Sequence, residues 1–460
     1  MNSRYPFTPV VSCLFIITII LFFSPHYVNA QSVNKTDARE IVEKLTAALI
    51  ERYPFPEISI QYQNALLKNE RDGKYLNLTE QRLAEQLTAD LQQVHRDVHL
   101  HVLQNESQYK NLTSPAYAAN NSGSELEQLQ RQNYGFRNVD LDPLSSVAYI
   151  NIPGGFYATQ EAFDIAAAAM NMAAYSKYII VDIRANGGGS GQMGRFLASY
   201  FYNAGDEQFY LNGFYKDRSR DEQEWTYAYV PGKRNPAAKV YILIGPGTGS
   251  AAEGFAYAMQ KLHRATVVGE ASAGAGIAGS FVPLKDNLIV FLPFKMVVGP
   301  NSQVGWEGTG VLPDSVTTGK DALAETRRFI WQDILNKSAD SILKASVQWQ
   351  LEDSKINPND KIAKCYQEIA GKYDDTHLVV SHQGKLFWQI HEPGKPIREF
   401  EMLEVKPDVF TVIDLNKSYG TNSTRVYIQR KASGRLNKLT EKILLPNGSI
   451  YTDPRNFQQR

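Results

Sequence analysis

Apolar positions follow three successive rhythms along the chain, and each predicts a different kind of element. From residue 31 to 103 the rhythm is helical. Ile41, Val42, Leu45 and Leu49 form one stripe, and Leu83, Leu87, Leu91 and Val94 form a second at spacings of four and three. Tyr53-Pro54-Phe55-Pro56 ends the first stripe, because proline cannot continue a helix. A small helical bundle is expected here. Residues 104–142 carry clusters of Ser, Asn and Gln without a period, which predicts a linker or loop.

From Val147 the rhythm changes. Val147 to Ile152, Tyr178 to Ile183, Val240 to Ile244 and Thr266 to Val268 read as buried strands. Helical stretches separate them, from Gln160 to Ala174, up to about Tyr202, and from Ser250 to Leu262. Strands alternating with helices predict an α/β layered core over residues 143–320. Gly279 to Phe294 reads as a hairpin turning at Asp286-Asn287. Residues 321–357 are expected to form a helical connector. Residues 358–460 show short alternating runs such as Leu386-Phe387-Trp388 split by turns such as Gln383-Gly384, which predicts a small antiparallel β domain.

The start of the chain belongs to none of these rhythms. An apolar run from Val10 to Phe23 follows Arg4, and Val28-Asn29-Ala30 places small residues where a leader is cut. This predicts a secretory signal peptide over residues 1–30, cleaved after Ala30, because a spanning helix needs about 20 apolar residues. The expected destination is secreted or periplasmic, with no stable membrane insertion afterwards. Composition narrows the picture further. Of 460 residues, 43% are hydrophobic and 21% charged, which excludes a mainly disordered chain. Basic and acidic residues number 48 each, so no global field recruits nucleic acid. Of the two cysteines, Cys13 lies in the leader, which leaves Cys365 with no intramolecular disulfide partner. The histidines show no HExxH motif or cysteine ligand set, so neither metal nor cofactor is expected.

Two glycine-rich turns follow buried strands. The first is Asp182-Ile183-Arg184-Ala185-Asn186-Gly187-Gly188-Gly189, and the second runs from Gly245 through Thr248-Gly249-Ser250-Ala251-Ala252-Glu253. Sites in α/β layers gather at the carboxyl ends of strands, so the two turns can converge. The second turn lacks the Gly-Lys-Ser/Thr ending of a phosphate loop and the Gly-x-Ser-x-Gly spacing of a nucleophile elbow. It places Ser250 at a helix N-terminus, where the residue reads equally as a cap or as a nucleophile beside free backbone N–H groups. The first turn offers glycine N–H groups for close approach of a ligand.

Taken together, these turns resemble the C-terminal processing and tail-specific serine proteases, with cores of the form Asp-x-Arg-x-Asn-Gly-Gly-Gly and Thr-x-Ser-Ala-x-Glu. Val267-Val268-Gly269-Glu270 and Gly308-Thr309-Gly310-Val311-Leu312-Pro313-Asp314 also look like that family. Asp97-Val98-His99-Leu100 is similar to the branch containing tricorn protease and the interphotoreceptor retinoid-binding protein modules. The resemblance implies a crotonase/ClpP-like ββα core and covers roughly residues 37–320. Ala275 stands where the Ser-Lys branch carries its lysine, so the resemblance implies the Ser-His-Glu scheme instead. It assigns Ser250 as nucleophile, His99 as base and Glu307 as the orienting acid. Gly187 or Gly188, with Ala251, supplies the oxyanion-binding N–H groups. Trp306 reads either as a pocket wall or as core. His95 and His101 are nearby rivals of His99, and Glu253 reads as a helix cap. Val98 departs from tricorn, which has a serine beside its histidine.

The function these residues imply is a serine endopeptidase acting on peptide or protein substrates through an acyl-enzyme. The rival readings are an apolar-ligand binding module and an esterase with the same triad. No segment between 104 and 142 resembles the PDZ domain of the tail-specific branch.

Overall fold

The computed structural model describes residues 34–300, 302, 304–356, 364–413, 424–454 and 457–458. The expected leader lies outside them. No described helix is long and apolar enough to cross a membrane.

The N-terminal region is helical: α1 (Lys35–Arg52), α2 (Pro56–Arg71) and α3 (Glu80–Val94). Pro56 sits in the first turn of α2, where its missing N–H costs nothing, and the Thr79 side chain caps α3 by accepting from Arg82 N. Both predicted stripes are buried, Val94 only partly. Their core is not a closed bundle, however. Ile41, Leu45, Leu49, Leu87 and Leu91 share it with Leu284, Leu288, Val290 and Leu292, which belong to the hairpin far along the chain. Lys285 adds an ion pair to Asp37 at 2.9 Å.

A short strand, β1 (His101–Gln104), follows α3. The expected linker over 104–142 is structured: α4 (Glu106–Thr113), α5 (Pro115–Arg131) and β2 (Asn138–Asp142). Asn105 caps α4 and Ser114 caps α5, with Pro115 in its first turn. Helix α4 buries no side chain, so it has no apolar stripe to betray it.

The central sheet contains β2, β3 (Val147–Asn151), β4 (Tyr178–Asp182), β7 (Lys239–Ile244), β8 (Ala265–Gly269) and β11 (Ser315–Val316), in the order β11-β8-β7-β4-β3-β2. All pairs are parallel except β2 with β3. Helices α6 (Gln160–Met172), α7 (Gly191–Ser199) and α8 (Ser250–Lys261) connect them. Alternation divides the strands between two cores. Ile179 and Val181 face the core shared with α6, α7 and α8, whereas Tyr178 and Ile180 face α9 (Ala322–Lys337). Each fully buried aliphatic side chain contributes roughly 1.5–3 kcal/mol.

A second sheet is built from β1, β5 (Phe209–Tyr215), β6 (Glu222–Trp225), β9 (Ile277–Lys285) and β10 (Leu288–Val298), in the order β1-β10-β5-β6 with β9 also on β10. The predicted hairpin is β9–β10. Asp286 and Asn287 both adopt positive φ, 49° and 65°, as a two-residue turn of this hand requires. Strands β5 and β6 have no counterpart in the sequence reading.

Helix α10 (Ser341–Asp353) completes the connector. It leads to an eight-stranded antiparallel sheet running from β12 (Gly371–Lys372) to β19 (Ile450–Thr452). Arg425 of that sheet is fully buried and bonds Glu352 and Asp353 of α10 at 2.5 and 2.7 Å.

Candidate active site

The two glycine turns leave the carboxyl ends of adjacent parallel strands, β4 and β7, where Asp182 pairs with Leu243. Adjacency brings the turns into contact. Gly249 N donates to Asn186 O at 2.9 Å, and Thr248 Oγ1 donates to Ile183 O at 2.9 Å. The Asp-x-Arg-x-Asn part of the first turn is scaffold. Asp182 accepts from Arg184 Nη2 at 2.6 Å and from Tyr149 OH at 2.7 Å, and Arg184 reaches Gly319 O. Asn186 is buried and donates from Nδ2 to Ile152 O at 3.0 Å.

Ser250 opens α8 with φ +50°, a left-handed conformation that serine rarely adopts. Strain of this kind persists only where surrounding contacts impose it. Here the contact is Glu253, whose Oε2 accepts from Ser250 N at 2.7 Å. Glu253 is fully buried and also accepts from Ser272 Oγ at 2.5 Å, Gly274 N at 2.7 Å and Ala275 N at 2.9 Å. Its role as a helix cap extends to clamping the serine turn onto the following loop.

Gly188 packs directly on this turn. A Cβ there would lie 2.6 Å from Ser250 Cβ and 3.0 Å from Ala251 N, and its φ is +103°. Its N–H, expected as an oxyanion donor, instead donates to Asn186 Oδ1 at 2.9 Å inside the turn. Gly187 is exposed, and a Cβ on it would meet nothing. Gly189, which the sequence reading passed over, lines the cavity beside Ser250 together with Ala251. Ala251 is the second residue of α8, so its N–H has no carbonyl partner within the helix.

His99 arrives from the N-terminal region, two residues before β1. Strand β1 pairs antiparallel with β10, His101 opposite Phe291, and this fastens the histidine to the core. The His99 ring lies 5.3 Å from the Phe291 ring, and His101 stacks on the same ring at 5.9 Å. Asp97, a site residue that the Asp-x-His pattern does not single out, is buried and accepts from His99 N at 2.9 Å and Leu100 N at 3.2 Å. Tyr53 OH donates to it at 2.9 Å. An aspartate bonding the amides two and three residues ahead fixes a turn, a signal readable from sequence. Burial lowers the His99 pKa below the ordinary imidazole range, with Asp97 opposing. A neutral imidazole near pH 7 is the form that accepts a proton.

Glu307 lies across the same loop. Its Oε2 accepts from Gly276 N at 2.6 Å. Burial, then the nearby charge of Asp97, raises its pKa to about 7. The backbone of Ile277 acts on both His99 and Glu307. His99 Nδ1 and Glu307 Oε1 are each buried without a hydrogen-bond partner. The fold thus brings the histidine and the acid to one backbone segment, Gly276-Ile277, without bonding them. Ser250 meets that segment through the cavity, which Ala275 and Gly276 also line. Trp306 is 3% exposed, lines the cavity, and packs against Tyr257 at 4.9 Å.

A family model for peptidase family S41 matches residues 146–317, and one for the N-terminal domain of that family in eukaryotic IRBP matches residues 30–134. A CtpA-like serine protease of Staphylococcus epidermidis is 30% identical over 146 residues, covering 31% of this chain and 28% of that protein. The chloroplastic carboxyl-terminal-processing peptidase 1 of Arabidopsis thaliana is 30% identical over 139 residues, covering 30% and 27%. In these alignments the chain spans less than a third of each relative's length. The solved photosystem II D1 C-terminal processing protease is 22% identical, covers 38% of this chain and 43% of that one, and has a TM-score of 0.32.

Proposed function

Because the chain belongs to peptidase family S41, with the family's N-terminal domain ahead of the core, we propose that it is a serine peptidase hydrolysing peptide bonds through an acyl-enzyme on Ser250. His99 takes the serine proton and returns it to the leaving amine. Glu307 fixes the imidazole tautomer and stabilises the imidazolium. The Ala251 N–H and a glycine N–H of the first turn hold the oxyanion. Among these glycines, Gly187 fits better than Gly188, whose N–H Asn186 already holds. Water then releases the acyl group, regenerating the serine. The core is read as crotonase/ClpP-like, and the leader-like start supports export from the cytoplasm. The helical region up to about residue 103 supplies the histidine, residues 143–320 supply the rest, and the C-terminal β region stands apart from the chemistry.

The observation that carries this reading is the pair of orphaned atoms. His99 Nδ1 and Glu307 Oε1 are buried, lack partners, and share the Gly276-Ile277 backbone. Neither atom is spent on the scaffold, and an apolar-ligand module needs neither. Hydrogen bonds in such a set commonly tighten in the Michaelis complex. The test is fluorophosphonate labelling with intact mass, beside Ser250→Ala. Labelling of wild type alone, with turnover falling roughly a million-fold in the variant, supports the reading. A folded wild-type protein that takes no label, or takes it elsewhere, overturns it.

A further inference from the structure

A cavity of about 360 Å³ opens beside Ser250. Its near wall is apolar: Ala251, Gly254, Leu211, Ala278 and Val297 line it. Among its polar groups, which also include Gln192 and Gln223, two sets stand out. Lys295 is held by Glu222 at 2.5 Å and Glu224 at 3.4 Å, so both carboxylates and that cation are committed to one another. Three donors are not committed. Trp306 Nε1, Tyr210 OH and Arg195 Nε are buried without a hydrogen-bond partner, and all three residues line the cavity. Trp306 is 3% exposed and Tyr210 is 1% exposed. Arg195 carries no carboxylate partner among the described residues. Its guanidinium lies over the Tyr227 ring at 3.9 Å. Gly194 makes room for the tyrosine hydroxyl, since a Cβ there would meet it at 3.2 Å.

An indole N–H can only donate, and so can a guanidinium N–H. Buried donors left unpaired are costly, and a site that retains several is complementary to an acceptor. We propose that this cavity receives the side chain on the acyl side of the scissile bond and selects one ending in a carboxamide or carboxylate, of glutamine or glutamate size. The apolar wall takes the methylenes and the three donors take the terminal oxygens. This inference rests on the serine-peptidase reading for its substrate, and on the cavity for its selectivity.

The test uses internally quenched peptides differing only at that position: Gln, Glu, Met, Leu and Lys. Methionine matches glutamine in length and lacks the acceptor. A site built on hydrogen bonds rejects such an analogue strongly, so kcat/KM for Gln or Glu is expected to exceed that for Met at least tenfold. Tyr210→Phe and Trp306→Phe are each expected to lower that ratio. Equal cleavage of the Gln, Glu and Met peptides, or a preference for Lys, overturns the inference. A lysine preference would mean that Glu222 and Glu224 read the side chain instead. Calorimetric binding of the Gln and Met peptides to the Ser250→Ala protein measures the same selectivity without turnover. Labelling at Ser250 with no Gln or Glu preference overturns this inference alone. Retained preference in binding, with no labelling of wild type, overturns the peptidase reading alone.

Discussion

Glu253 and Glu307 draw on consecutive amides of one loop, yet their surroundings are opposite. Gly274 N and Ala275 N donate to Glu253, and Gly276 N donates to Glu307. Glu253 has four donors and no unmet acceptor, whereas Glu307 keeps one buried oxygen without a partner. A carboxylate satisfied on all sides is a structural clamp. One that is half satisfied, and whose pKa burial raises to about 7, keeps an oxygen available to orient a neighbouring base. Under the proposed roles, the difference separates scaffold from chemistry along one loop.

Four changes break or sharpen that contrast. The largest is expected from Glu307→Gln. Turnover falls on the order of ten-thousand-fold, as when an orienting acid loses its charge, while the thermal midpoint moves little. A midpoint that collapses along with the activity makes Glu307 another clamp. Glu253→Gln inverts the pattern. An amide group faces backbone donors and leaves them unpaired, costing about 1–3 kcal/mol for each buried group. Chemical denaturation should show that loss, and labelling at Ser250 should weaken with it.

A smaller effect separates the glycines of the first turn. Gly188→Ala adds a Cβ 2.6 Å from Ser250 at φ +103°, so it loses about 1–3 kcal/mol by strain. Gly187→Ala meets open space and stays within about 0.5 kcal/mol. Equal stabilities for the two variants contradict the packing described. The smallest effect is in pH dependence. The folded-state pKa of Glu307 is raised, so its stabilisation is fully present below the ordinary 4.5 and is lost as pH rises through about 7. Glu307→Gln should remove that slope from the stability profile. In wild type, kcat/KM should rise with pH through the same region as the carboxylate forms, with the histidine and acid titrating as a pair.

The strand-and-helix core was legible because its strands are buried on both faces and read as unbroken apolar runs. Ile179, Ile180 and Val181 are such a run. Helices α4 and α5 were not legible, because their signal lay in the capping residues Asn105 and Ser114 rather than in apolar spacing. The surroundings of His99 followed the same logic. The motif pointed to the residue, but its position depends on the pairing of β1 with β10, a long-range contact invisible to local pattern. Asp97 is legible as a turn-forming aspartate, two residues before the histidine whose amide it holds. The internal use of the Gly188 N–H depends on the rotamer of Asn186, which no sequence spacing encodes.

The four residues of β1 have a consequence for the timing of activity. Their partners lie at Leu288 to Phe291, so under the proposed roles the serine acquires its base only when nearly the whole core has been synthesised and closed. Until then Ser250 has the reactivity of an ordinary alcohol. Competence becomes a report of completed tertiary structure, and a partly emerged or misfolded copy is harmless to the proteins around it. A hydrolase assembled this way carries its own safety interlock.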